Sequence, residues 1–87
     1  MQSKEIEIRA PHGLHLRVAA RIVRETQGSQ SKVVFYKDGQ SADASSILEL
    51  LILAATEHSI LKVTVAGEDE KIIIDKVSEI LTDGAGI

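Results

Sequence analysis

His15 and Arg17, in the stretch Gly13-Leu14-His15-Leu16-Arg17-Val18-Ala19, are the two side chains in this chain best suited to covalent chemistry. Imidazole is a nucleophile near neutral pH, and a guanidinium holds phosphate oxygens through charge-assisted hydrogen bonds. Their setting predicts the junction between a short strand and a helix. A helix start exposes unpaired N–H groups and the positive end of the dipole, so the amides of Leu16, Arg17 and Val18 would face an anion there. The combination reads as a site that accepts a phosphoryl group on His15 and hands it on, with Arg17 swinging aside at transfer. The plainer reading is a loop histidine capping a helix beside a solvated arginine.

Periodicity supplies the elements that must position these groups. Ile6, Ile8 and Ala10 alternate with Glu5, Glu7 and Arg9, a half-buried strand that Pro11-His12-Gly13 ends. Ala19, Ile22, Val23 and Thr26 fall at helical spacing, with Gly28 as the stop. Residues 32–37 are β-rich, and Asp38-Gly39 predicts a hairpin into a strand at 40–42. Ser46 and Glu49 form a capping box that opens a helix through about Leu53. Leu61, Val63 and Val65 mark another strand, and Glu68, Asp69 and Glu70 place acid at the start of a last helix striped by Ile73, Ile74, Val77, Ile80 and Leu81. Asp83 to Ile87 reads as a frayed tail. The order βα-ββ-αβ-α, without repeat or linker, predicts a single α+β domain over residues 1–87, its helices on one face of an antiparallel sheet and water on the other.

Composition narrows the function. The net charge is −3, no basic stripe is present, and Phe35 and Tyr36 are the only aromatics, which argues against a nucleic-acid partner. There is no cysteine, so disulfides, thiolate metal sites and thiol catalysis are excluded. The N-terminus carries no hydrophobic signal core, and the apolar run Leu50 to Ala55 is too short for a membrane span. The expectation is a cytoplasmic protein without membrane insertion. His12 and His15 form H-x-x-H, but a turn intervenes and no acidic ligand is close, so neither a metal nor a cofactor is expected. His58 reads as a solvated turn residue.

Pro11-His12-Gly13-Leu14-His15-Leu16-Arg17 followed by Ala19-Ala20, then Asp38-Gly39, Ser46-Ile47-Leu48 and Gly67-Glu68-Asp69-Glu70, come in order and without gaps over essentially the whole chain. In this the chain resembles the HPr family, the histidine-containing phosphocarriers of the bacterial phosphoenolpyruvate-dependent sugar phosphotransferase system. The resemblance implies an open-faced β-sandwich of four antiparallel strands and three helices. It implies a phosphocarrier rather than an enzyme, with His15 taking phosphate on Nδ1 from phosphorylated enzyme I and passing it to enzyme II A domains while Arg17 assists. It also implies that partners dock through Ile47, Leu48 and Leu51; a monomer is the expectation for the chain. Residues 47–53 are apolar on nearly every side, so either part of that helix is exposed or it is buried more deeply than a short surface helix should be.

Ser46 matches the serine that an HPr kinase/phosphorylase modifies in many members to signal to a transcriptional regulator. A capping box accounts for the same serine without regulation, so both readings stand. The alternative function is a regulatory protein acting mainly through phospho-Ser46 in carbon or nitrogen control. Four positions depart from the family pattern: Val18 replaces the usual proline, Ser45 a lysine, Glu49 a small or basic residue, and His58 a glycine. Val18 retains an N–H donor while giving up ~0.4–1 kcal/mol of preorganisation.

Overall fold

Strands β2 (Ser31–Lys37) and β4 (Ile60–Gly67) alternate buried and accessible residues, and this alternation decides where the helices lie. Val33 and Phe35 on β2, with Leu61, Val63 and Val65 on β4, are fully buried on one face of the sheet. Burying each side chain of this size contributes ~1.5–3 kcal/mol, so this face needs an apolar cover. The structure, a computed structural model, describes residues 1–83. Its remaining elements are β1 (Gln2–Glu7), α1 (Leu16–Gln27), β3 (Gln40–Asp43), α2 (Ile47–Leu53) and α3 (Glu70–Asp83).

The four strands form one sheet in the order β1-β4-β2-β3, every neighbouring pair antiparallel. Phe35 stands opposite Val63 on one side and Ala42 on the other, which places the largest core residue at the sheet's centre. Helix α1 buries Val18, Ala19, Ile22, Val23 and Thr26, and α3 buries Ile73, Ile74, Val77, Ile80 and Leu81. This is the expected α+β open-faced sandwich. On the uncovered face Glu5 pairs across from Lys62, and the Lys62 ammonium lies 6.0 Å from the Tyr36 ring.

The Asp38-Gly39 hairpin forms as predicted, with both residues left-handed at φ +51° and +80°. Strand β1 differs from its prediction, starting at Gln2 and ending at Glu7. Ile8 and Ala10 keep the buried alternation, but the amides of Arg9 and Ala10 both turn to the Leu81 carbonyl at 3.1 Å, which ends sheet pairing. Asp83, expected in a frayed tail, closes α3; residues 84–87 of that tail lie outside the described residues. No helix among the described residues is long and apolar enough to cross a membrane.

Candidate functional site

The segment joining β1 to α1 is anchored on three sides. Ile8 donates its N–H to Ser59 O at 2.9 Å and accepts from His58 N–H at 2.7 Å. Gly13 N–H closes a turn onto Ala10 O at 3.0 Å, and Leu14 N–H reaches Ala55 O at 2.9 Å. Gly13 has φ +67°, and a Cβ there would lie 2.6 Å from Ala55 O and 2.7 Å from Thr56 Cα. Only glycine satisfies both the left-handed backbone and that close approach. Leu14 then buries its side chain, which delivers His15 to the surface as the first residue beyond the anchor.

His15 is the N-cap of α1, half-buried, with extended backbone at φ −88° and ψ 179°. Its Nδ1 accepts the N–H of Arg17 at 3.3 Å. An accepting Nδ1 carries a lone pair, so the proton of neutral imidazole sits on Nε2. The first intrahelical bond runs from Ala19 N–H to His15 O at 2.9 Å. The amides of Leu16, Arg17 and Val18 therefore precede the helical ladder. No acidic residue occupies the first turn of α1. The Val18 side chain is fully buried, which fastens this turn to the core, while Arg17 is exposed. The site thus offers a half-buried nitrogen nucleophile at the positive end of a 12-residue helix, with the exposed cation of Arg17 two residues on.

Arg17, Ala20, Arg21 and Arg24 line a shallow groove on the outer side of α1. Arg21 and Arg24 were absent from the residues singled out by sequence, although their i+4 and i+7 spacing from Arg17 puts all three on one helix face. Of the apolar residues expected to dock partners, Leu48 is 68% exposed, Ile47 stands at the edge of exposure and Leu51 is half-buried against the core. Leu50 and Leu53 provide the buried side of α2, so the helix is exposed in part rather than deeply buried. Leu16 and Ile52, 62% and 67% exposed, are further accessible apolar side chains that the motif comparison overlooked.

Helix α2 is capped at its C-terminal end by Ala54, which is left-handed at φ +54°. This ending turns the chain so that Ala55 O accepts from Leu14, linking the end of α2 to the histidine loop. Among the described residues, Ala54, His12 and His58 are three of the four non-glycine residues with positive φ, and all three lie in the loops that meet at this site. His58 is exposed as expected, and its ring pairs with Glu7 at 3.2 Å and Glu57 at 3.5 Å.

Ser46 caps α2, its Oγ accepting the Glu49 N–H at 3.3 Å. The reciprocal half of the predicted capping box does not form. Ser46 N–H already donates to Asp43 O at 3.0 Å, so the Glu49 carboxylate accepts from Asp43 N–H instead, at 3.0 Å. Asp43 Oδ1 in turn accepts from Ser45 N–H at 2.9 Å and Ser45 Oγ at 2.7 Å, which holds its carboxyl below the usual aspartate range. Two carboxylates therefore attend the Ser46 cap.

A sequence model of the PTS HPr component phosphorylation site matches residues 2–83. The chain belongs to the HPr family. It is 42% identical over 71 residues to the phosphocarrier protein HPr of Haemophilus influenzae, covering 82% of this chain and 84% of that one. Its fold superposes on HPr-C-His from Thermoanaerobacter tengcongensis with a TM-score of 0.93, at 28% identity over 100% of this chain and 98% of the other. A dimer of HPr from the same organism superposes at 0.77, again at 28% identity and with both chains fully covered. HPr proteins are phosphocarriers of the phosphotransferase system and not catalysts, which makes this chain a carrier within that system. The family works with proteins of that system such as enzyme I and enzyme II.

Proposed function

We propose that His15 accepts a phosphoryl group on Nδ1 from phosphorylated enzyme I and passes it to enzyme II A domains. The observation that carries this reading is the Nδ1 lone pair directed at the Arg17 amide, at the positive start of α1. In the forward step Nδ1 attacks phosphorus, the donor's bond to phosphorus breaks, and its electron pair returns to the donor. The phosphoryl oxygens then meet the amides of Leu16, Arg17 and Val18, each dipole contact contributing ~0.3–1 kcal/mol. The Arg17 guanidinium adds charge-assisted hydrogen bonds and withdraws as the next acceptor approaches. Partial exposure of His15 suits this role, because a deeply enclosed phosphate would be held too firmly to pass on.

Docking rests on Ile47, Leu48 and Leu51, with Leu16 and Ile52 widening the apolar surface. Arg17, Arg21 and Arg24 favour an acidic flank on the partner. The chain acts as a cytoplasmic, single-domain monomer with no cofactor. Ser46 is a second candidate for modification, by an HPr kinase/phosphorylase and for a transcriptional regulator, and its half-exposed hydroxyl at a helix start supports that reading.

Incubation with phosphoenolpyruvate and enzyme I should give an acid-labile label that is absent in His15→Ala. An unlabelled wild-type chain would refute the carrier reading. ATP with the kinase should give an acid-stable label lost in Ser46→Ala; acid-stable label alone would favour the regulatory function over the carrier.

A further inference from the structure

His12 sits three residues before the proposed phosphoryl acceptor, and nothing in the mechanism above uses it. Its ring centroid lies 6.3 Å from that of His15, with the planes at 73°. The residue is exposed and left-handed at φ +67°, a conformation that disfavours a side chain by roughly 1–3 kcal/mol. Gly13 and its tight contact with residues 55–57 hold the turn in place, so His12 stays within side-chain reach of His15.

The ionisable groups on the elements around this turn are His15 and Arg17 on α1, Glu57 and His58 in the 54–59 turn, Arg9 before it, and Asp83 at the end of α3. Glu57 pairs with His58 at 3.5 Å, and Arg9 lies 4.0 Å from Glu7. Among the described residues no carboxylate lies within ion-pair distance of His12. Before phosphorylation, a positive His12 therefore has no anionic side chain to pair with among the described residues. A phosphoryl dianion on His15 reverses that balance.

We propose that His12, as an imidazolium, donates a hydrogen bond to the phosphoryl group on His15 and so prolongs the charged state of the carrier. This rests on His15 being the acceptor. The contact adds a second cation beside the phosphate, alongside Arg17. It is present only at pH values where an imidazole is protonated.

The test is the lifetime of acid-labile label on the phosphorylated chain, on His12→Asn and on His12→Arg, each at about pH 5.5 and about pH 8.5. Asparagine tolerates the left-handed region, so His12→Asn retains the turn. The wild-type label should outlast that of His12→Asn by roughly two- to fivefold at the lower pH, the worth of an exposed ion pair, and match it at the higher. His12→Arg should keep the longer lifetime at both. Equal lifetimes for wild type and His12→Asn at both pH values, or a uniform pH-independent loss, would overturn the proposal. No label on any of the three proteins would instead overturn the His15 reading, and this inference with it.

Discussion

Helices α1 and α2 begin with the same local device and opposite surroundings. In each, an N-cap side chain accepts a first-turn amide at 3.3 Å: Nδ1 of His15 from Arg17, and Oγ of Ser46 from Glu49. The start of α1 has no acidic residue and carries Arg17, whereas the start of α2 carries Glu49 and sits beside Asp43. The helix dipole alone would invite an anion to both. What separates them is charge within a few residues, together with length: 12 residues in α1 and seven in α2. An N-cap motif therefore locates a possible anion site, and its neighbours decide which of two such sites suits a phosphate.

The largest expected effect separates capping from chemistry at α1. His15→Asn keeps an N-cap acceptor and should remain folded while taking no label at all. His15→Ala should lose the label and, in addition, ~0.5–2 kcal/mol of stability in a urea titration. If both variants were equally stable, the His15 ring would not be acting as a cap. Gly13→Ala comes next: the left-handed backbone alone costs about 1–3 kcal/mol, and overlap with Ala55 O and Thr56 Cα adds to it. Labelling of that variant should slow with the fall in stability, because the displaced atoms position the cap of α1.

Ser46→Ala should lower stability by ~1 kcal/mol and leave the His15 label unchanged. A slower label would mean that the two starts are coupled. The start of α3 is a third case, since Asp69 directs its carboxylate away from its own helix. It accepts from Ser31 Oγ at 2.5 Å and from Gln30 N–H at 3.0 Å, which holds the carboxyl below the usual aspartate range. A depressed carboxyl contributes stability above the unfolded-state value and loses it as pH falls through the folded one. Thermal unfolding of wild type and Asp69→Asn should therefore differ near neutral pH and begin to converge as pH falls below about 4. A gap that persists in acid would assign the effect to packing.

The smallest effect bears on the carboxylates at α2. Ser46→Asp should be less favourable than the dipole alone predicts, and Glu49→Gln should recover roughly 0.2–0.5 kcal/mol of it, the size of a like-charge helix pair. No coupling between the two changes would remove Glu49 from the comparison and leave Arg17, Asp43 and helix length to distinguish the starts.

Local pattern made most of the fold legible. Alternation at Val33, Phe35, Leu61, Val63 and Val65, the left-handed Asp38-Gly39 turn and the Gly13-Leu14-His15 junction all depend on residues near one another in the chain. The capping role of Ser46 was legible for the same reason, whereas the Glu49 carboxylate as acceptor for Asp43 N–H was not, because that pairing depends on Ser46 N–H having already been donated to Asp43 O. The Asp69–Ser31 bond joins residues 38 apart, a distance at which periodicity carries no information. The exposure of Leu16, at the first position of α1, and of Ile52, on the short helix α2, was not legible because apolar type alone does not reveal exposure. Arg21 and Arg24 were within reach, as their spacing alone aligns them with Arg17.

One detail of the α1 start has a consequence for turnover. The amide of Arg17 rests on the same nitrogen that the proposed chemistry would phosphorylate. On that chemistry, loading the ring evicts the amide from its lone pair and supplies an oxygen in exchange; unloading restores the original partner. Empty and loaded forms would thus satisfy one donor with successive tenants, so that neither form of the courier leaves that amide without a partner.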